Sequence, residues 1–286
     1  MFADACEKAM KFTRPVIIST RTFDGRVQSG CATFFLINRD GWAITAGHIF
    51  KSNLQLKEDR KKIEEYNRNK ASNPDLKPNP NWLTNQSFWW GWDTVRLSEA
   101  YINLDVDIAV CKFDGFRPDM VSQYPVFKDP EKMRPGTSLC RTGFPFISDV
   151  TEFDERSGNF RIRPGKLPMA FFPNEGIHTR NIFAGKSREG NYDKLYVETS
   201  SPGIKGQSGG PIFDRDGYIA GMQSYTAHYE LDFRPSTRND KGEVIQENQF
   251  MNIGVGVHVK TIMEILDSKG VKYDMEGDDQ GFRIIG

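Results

Sequence analysis

Short runs of apolar and β-branched residues alternate with turn signals along most of this chain. Val16–Thr20 and Arg26–Ser29 flank Phe23-Asp24-Gly25, and Ala32–Asn38 and Trp42–Thr45 flank Asp40-Gly41. Pro211–Phe213 and Tyr218–Met222 flank Asp214–Gly217 in the same way. An Asp-Gly pair between such runs is a strong hairpin signal, because the central residues of a tight turn need positive φ. Hairpins recurring in both halves predict an all-β sandwich or barrel.

Two stretches break this rhythm. The segment 54–70 carries ten charges in the fourteen residues from Lys57 to Lys70, with Glu58/Lys62 and Glu64/Arg68 at i,i+4 spacing. It predicts a solvated helix with a thin apolar stripe of Leu56, Ile63 and Tyr66. A Pro/Asn loop over 73–81 and the cluster Phe88-Trp89-Trp90-Gly91-Trp92 follow, and the aromatics read as packing for that inserted helix. At the far end, His258–Lys269 places Val259, Ile262, Met263, Ile265 and Leu266 largely on one face, and Gly270 stands where a helix-ending glycine belongs. The Pro-containing stretch Tyr124–Pro135 divides the chain into two β-rich halves, 1–125 (with an insertion over 51–93) and 126–286.

Composition narrows the class. Hydrophobic residues make up 38% of the 286, with 21 Phe, 9 Tyr and 5 Trp, which excludes wholesale disorder. Lys plus Arg equals Asp plus Glu at 38 each, so no global charge draws the chain to nucleic acid or anionic lipid. No apolar run approaches the ~18 residues that span a membrane. Neither nucleic acid nor membrane is expected as a partner. Residues 1–14 are amphipathic and charged, without the apolar core of a secretory signal. Cys6, Cys31, Cys111 and Cys140 form no C-x-x-C pair, and Cys31 and Cys111 read as buried free thiols. A cytoplasmic location is the expectation, and no metal or other cofactor is called for.

The chemistry concentrates in Gly206-Gln207-Ser208-Gly209-Gly210-Pro211. A serine among glycines has open space around its Oγ, and glycine-flanked backbone lets successive N–H groups converge on one point. As G-x-S-x-G the string could open an α/β-hydrolase helix, but Pro211, Ile212-Phe213 and another β run follow, and only 78 residues remain. The other template needs His, Asp and Ser in that order. His48 stands in Thr45-Ala46-Gly47-His48 after a β run, and Asp107 in Asp107-Ile108-Ala109 leads into an apolar strand, with spacings of 59 and then 101 residues.

Together the T-A-G-H, D-I-A and G-x-S-G-G-P strings resemble the chymotrypsin/trypsin-fold serine peptidases over about residues 15–270. The resemblance implies two six-stranded antiparallel Greek-key β-barrels, with the charged helical insertion after the histidine and a C-terminal helix. It implies a serine endopeptidase in which Ser208 is the nucleophile, His48 the general base and Asp107 the residue orienting it. It further implies an oxyanion hole from the N–H groups of Gly206 and Ser208, and a substrate-binding strand at Ser224, Tyr225 and Thr226, with Ser224 also supporting Asp107. Asp105, two residues before Asp107, is placed on the same strand face and read as a solvated carboxylate. His178, His228 and His258 fit no metal-spacing motif and read as structural.

The departures also inform. Ile49 and Ile204 stand where secreted relatives carry disulfide cysteines, which fits a reducing compartment. Gln207 precedes the serine where zymogens have an aspartate, so activation by a freed N-terminus is not expected. The strings lie nearer to high-temperature-requirement proteases, although the roughly 26 residues after Lys260 leave no room for their trailing PDZ domain. Pro202, six residues before Ser208, implies an S1 pocket without an acid at its base, and Gln223 stands where glutamate-specific relatives carry a histidine, so the resemblance implies an uncharged, small or apolar P1 residue. Two competing readings remain: an esterase with the same triad, and a binding or regulatory module, inactive until a partner at 51–93 or substrate orders the oxyanion loop.

Overall fold

The computed structural model describes residues 1–246 and 248–277. A first helix, α1 (Ala3–Phe12), lies where the sequence shows only an amphipathic, charged stretch, and it buries Ala5, Ala9 and Phe12. Six strands then build the first sheet: β1 (Thr13–Thr22), β2 (Val27–Leu36), β3 (Trp42–Thr45), β4 (Leu83–Trp89), β5 (Arg96–Asn103) and β6 (Ile108–Asp114). Their order across the curled sheet is β4-β1-β2-β3-β6-β5. β1 and β2 pair from Thr13↔Phe35 to Arg21↔Val27 around the Asp24-Gly25 turn. The two apolar runs on either side of Gly30 thus form one strand.

The aromatic cluster packs more of the molecule than the inserted helix expected from the sequence. Trp90 is among the largest fully buried side chains, and its ring centroid lies 5.4 Å from Phe34, 5.1 Å from Phe113 and 5.6 Å from Phe88. These rings fill the first barrel, and Phe88 and Trp90 also meet Phe50, the residue that opens the inserted helix, at 5.4 and 6.1 Å. The segment after the loop is itself barrel, since β4 pairs with β1 from Ile17↔Trp89 to Thr22↔Leu83. Further along, the inserted helix, α2 (Lys51–Lys70), rests on the same edge. Tyr66 meets Phe23 and Trp82 edge-on, and the buried Asp59 carboxylate accepts the Leu83 N–H at 3.0 Å while pairing with Lys62.

The second half contributes β7 (Val126–Phe127), β8 (Ser138–Gly143), a hairpin of β9 (Thr151–Asp154) and β10 (Asn159–Ile162), then β11 (Phe172–Lys186), β12 (Asp193–Thr199), β13 (Pro211–Phe213) and β14 (Ile219–Glu230). A small hairpin of β15 (Ser236–Arg238) and β16 (Val244–Gln246) precedes β17 (Phe250–His258) and, at the end, β18 (Asp274–Met275). The run β13-β8-β11-β12-β17-β14 closes through a β13–β14 pairing, giving a six-stranded antiparallel barrel. The short β7 and β18 attach to it by parallel pairs.

The two ends of the chain strap the halves together. Phe2, just before α1, packs edge-on against Phe213 of the second barrel at 6.2 Å. The last helix, α3 (Val259–Ser268), buries Val259, Ile262, Ile265 and Leu266 as its periodicity requires. His258 caps it, with Nδ1 accepting the Lys260 N–H at 3.1 Å, and Gly270 closes it at φ +66°. Just beyond, the Lys272 carbonyl accepts from Asn38 of the first barrel at 2.7 Å.

Two stability measurements follow from this packing. Trp90→Ala should cost about 3–5 kcal/mol and lower the thermal midpoint accordingly. Burial, helped by the nearby His178 and Lys260, holds the His258 pKa at about 4 against an ordinary 6.5. The folded chain therefore refuses a proton that the unfolded chain accepts. Nothing is lost above pH 7, and roughly 3 kcal/mol of stability is lost as pH falls from 6.5 to 4. Denaturant midpoints at pH 7.5 and 4.5 should show this loss, and His258→Asn, which keeps a capping oxygen, should reduce it.

Candidate active site

Three turns meet at the seam of the barrels. β3 ends at Thr45 and the chain enters a 3₁₀ turn, Gly47–Phe50, that carries His48. Gly47 is there for contact: a Cβ would lie 3.0 Å from the Asn103 carbonyl oxygen and 3.1 Å from the Ile108 nitrogen. Only a residue without a side chain lets this turn touch the turn between β5 and β6. In that second turn the Asp107 backbone is held at φ +69°, and its N–H donates to the Asn103 carbonyl at 3.0 Å. A non-glycine residue in this conformation is uncommon and stores strain of order 1 kcal/mol or more.

The strain aims the carboxylate. Asp107 Oδ1 accepts the His48 backbone N–H at 2.8 Å, and His48 Nδ1 stands 2.9 Å from Oδ2 and 3.0 Å from Oδ1. The Ser224 hydroxyl, from β14 of the other barrel, donates to Oδ2 in a short bond. With Nδ1 donating to the carboxylate, Nε2 is left as the acceptor that faces outward. Asp105 does not share a strand face with Asp107, because both lie in the turn before β6. It turns instead to the second barrel, accepting the Arg188 N–H at 2.9 Å and pairing with Lys194 at 3.2 Å. The Arg188 bond and then Lys194 hold its carboxyl below the usual range.

Ser208 and His48 line one cleft of about 430 Å³, together with Gly206, Lys205 and the β2 residues around Cys31. The Ser208 hydroxyl donates to the Ser224 carbonyl at 3.5 Å. Just before it, the Ile204 carbonyl accepts the Gln207 N–H at 2.8 Å and Gly206 sits at φ +106°, which makes residues 204–207 a type II turn. Among the described residues the N–H groups of Gly206 and Ser208 donate to no protein acceptor. The Ser208 carbonyl takes the Thr33 N–H at 2.8 Å, and the Gly206 carbonyl takes the Thr33 hydroxyl at 2.7 Å, so the first barrel holds the loop in register.

Gln207 was notable in the sequence only for not being aspartate. In the structure it is fully buried and spans the loop, with Oε1 accepting the Ile204 N–H at 3.0 Å and Nε2 donating to the Phe172 carbonyl at 3.2 Å. Of the substrate-strand residues, Tyr225 is half exposed, and Thr226 donates its hydroxyl to the Gly203 carbonyl at 2.7 Å. Pro202 offers its carbonyl to Asn174 at 2.7 Å. His228 is held by Asn252 and His178 by Asn181, and among the described residues no three His, Cys, Asp or Glu side chains are grouped to hold a metal. The thiol of Cys31, beside the cleft, is buried and free, and burial pushes its pKa up to about 12.

A family model described as the trypsin-like peptidase domain matches residues 32–222, which span all three turns. The chain belongs to this trypsin-like peptidase family. Among solved structures, the HtrA-type protease AlgW with a decapeptide is 14% identical at a TM-score of 0.52, covering 94% of this chain and 67% of that one. The Rv3671c protease from M. tuberculosis in its active form is 14% identical at a TM-score of 0.50, covering 95% and 86%. The chain spans 63% to 68% of the length of the AlgW structures it matches. No curated protein sequence matches significantly. The family and these neighbours share the trypsin-like fold of two curled β-barrels.

Sequence reasoning missed one buried residue at this site, Arg141. It lies with Gln223 behind the segment leading to Ser208, and its only signal was a charged residue inside the apolar run Leu139-Cys140-Arg141. For Gln207, truncation to Ala leaves the Ile204 N–H and the Phe172 carbonyl unpaired. It should cost about 1–3 kcal/mol for each buried group left without a partner, read as a lower denaturant midpoint.

Proposed function

We propose that the chain is a serine endopeptidase working through His48, Asp107 and Ser208. The observation that carries this reading is a histidine with Nδ1 fixed on a carboxylate and its ring in the same cleft as a glycine-flanked serine. Ser208 Oγ attacks the scissile carbonyl carbon and passes its proton to His48 Nε2. Asp107 holds the tautomer that makes Nε2 basic and stabilises the imidazolium that forms. The free N–H groups of Gly206 and Ser208 receive the oxyanion, each worth about 3 kcal/mol in the transition state. The imidazolium then protonates the leaving amine, and water repeats the sequence on the acyl-enzyme.

The type II turn at 204–207 supports a hole that is formed in the free protein, which disfavours the regulatory-module reading. The Ser208 hydroxyl is engaged with the Ser224 carbonyl, so a rotation about its χ1 precedes attack. This bond is the one observation in favour of a resting state.

Intact mass after fluorophosphonate treatment tests the proposal. Wild type should gain one adduct, and Ser208→Ala none. His48→Ala should slow labelling by at least a thousandfold while keeping the wild-type circular dichroism. Equal labelling of wild type and Ser208→Ala would remove Ser208 from the mechanism, and no labelling of folded wild type would favour the gated module. Hydrolysis of an amide substrate, and not only its ester analogue, separates the peptidase from an esterase.

A further inference from the structure

The cleft that holds Ser208 and His48 carries two positive charges that the proposed mechanism does not use. Lys51 and Lys205 both line it. Lys51 follows His48 by three residues, and Lys205 precedes Ser208 by three, next to Gly206. Both lysines are exposed, and among the described residues neither ammonium group has a hydrogen-bond or ion-pair partner. No aspartate or glutamate lines the cleft. The carboxylate of the site, Asp107, lies behind the imidazole, where three donors already hold it. Elsewhere the lysines beside acids are paired, as Lys62 is with Asp59, Lys128 with Asp214 and Lys194 with Asp105.

Local structure gives neither charge a reason of its own. A helix carries partial positive charge at its N-terminus and favours acids in its first turn, yet α2 has none there and begins on Lys51. Lys205 is the second residue of the type II turn at 204–207, a position that accepts most side chains. The turn needs its glycine at 206 and uses Gln207 as a bridge, but it asks nothing of residue 205. Two unpaired cations thus face a cleft of about 430 Å³, within the size range of ligand pockets, and nothing in the protein neutralises them.

The proton path decides which half of a substrate this cleft receives. The leaving amine takes its proton from His48, so the segment released with it passes the imidazole where the chain runs on into Ile49, Lys51 and Ser52, all of which line the cleft. Among the described residues none from β14 lines it, and β14 meets the nucleophile separately, through the Ser224 carbonyl. We infer that the cleft binds the residues just after the scissile bond, P1′ and P2′, and selects acidic side chains there through Lys51 and Lys205. This inference rests on the peptidase reading above and adds a substrate class to it: peptides that are acidic on the leaving side. A carboxylate entering the cleft is drawn by both lysines, whereas a lysine or arginine in the same place is repelled.

Quenched peptides with mixed residues at P1 and Glu-Glu, Gln-Gln or Lys-Lys at P1′ and P2′ test the assignment. Fluorophosphonate labelling of Ser208 is the separate measure of a working site. Wild type should cleave the Glu-Glu peptide with kcat/KM about fivefold above the Gln-Gln peptide, a factor that two exposed ion pairs can supply, and the Lys-Lys peptide least. Added salt should shrink the ratio by screening. Lys51→Gln and Lys205→Gln should each lower the Glu-to-Gln ratio, and Lys51→Glu combined with Lys205→Glu should turn the preference to Lys-Lys. A ratio near one in wild type that labels overturns the inference, as does a ratio undiminished in both single Gln variants. A preference for Glu-Glu that appears only when the pair is moved to P3 and P2 also overturns it, and each of these results leaves the peptidase reading standing. Wild type that fails to label, or that labels and cleaves none of the peptides, would overturn both together.

Discussion

Three donors from two barrels converge on the carboxylate of Asp107: the backbone N–H of His48, its Nδ1, and the hydroxyl of Ser224. Bonds to a charged acceptor are roughly twice as strong as neutral ones, so this junction is both an orienting device and a fastener between halves. Its geometry requires a left-handed backbone at Asp107 and a glycine at position 47, each unfavourable or restrictive alone. The rest of the site takes its register from this contact. With the His48 turn seated against the Asp107 turn, Thr33 on the neighbouring β2 reaches the carbonyls of Gly206 and Ser208 and fixes the nucleophile loop against the first barrel.

The features legible in the sequence were those with a local cause. Asp-Gly turns marked the hairpins, apolar periodicity marked α3 to within a residue at each end, and the charge pattern marked α2. The glycine-serine string announced itself because few other structures need that composition. What escaped depended on tertiary partners. The rings of Phe88–Trp92 looked like cover for a nearby helix, yet Trp90, one residue past β4, is buried against Phe34 and Phe113 inside the barrel. Asp105 and Asp107 looked like neighbours on one face, but a positive φ at Asp107 breaks the alternation on which that reading relied. Arg141 sits in a run that reads as an ordinary buried strand, and only the closure of the second barrel shows what its side chain meets.

The serine loop shows how one substitution alters the physics of a shared design. An aspartate before the nucleophile would be a buried charge, and its loop would be stable only when a counter-charge arrived. Gln207 fills the same place with a neutral amide whose oxygen and nitrogen are both satisfied from within the loop and from β11. Burial then carries no charge penalty and needs no external partner. The turn at 204–207 follows from hydrogen bonds that are present as soon as the second barrel closes.

The halves therefore divide the work according to what each interior tolerates. The first barrel is filled by rings and aliphatic chains, and it contributes its chemistry from the turns at its rim, where His48 and Asp107 keep access to solvent. The second barrel carries polar groups inside: Gln207, Gln223, Arg141, His178 and His258 are all buried. A polar interior costs stability unless every group is paired, and among the described residues Arg141 Nε, His178 Nδ1 and His258 Nε2 have no hydrogen-bond partner. Apolar residues of similar volume would build a firmer barrel, so the polarity is better explained by what the barrel's surface must bind. Gln223 joins these groups to the site, its Oε1 accepting from Arg141, its Nε2 donating to the Tyr225 and Val255 carbonyls, and its backbone bonded to Gly209 and Gly210 beside Ser208.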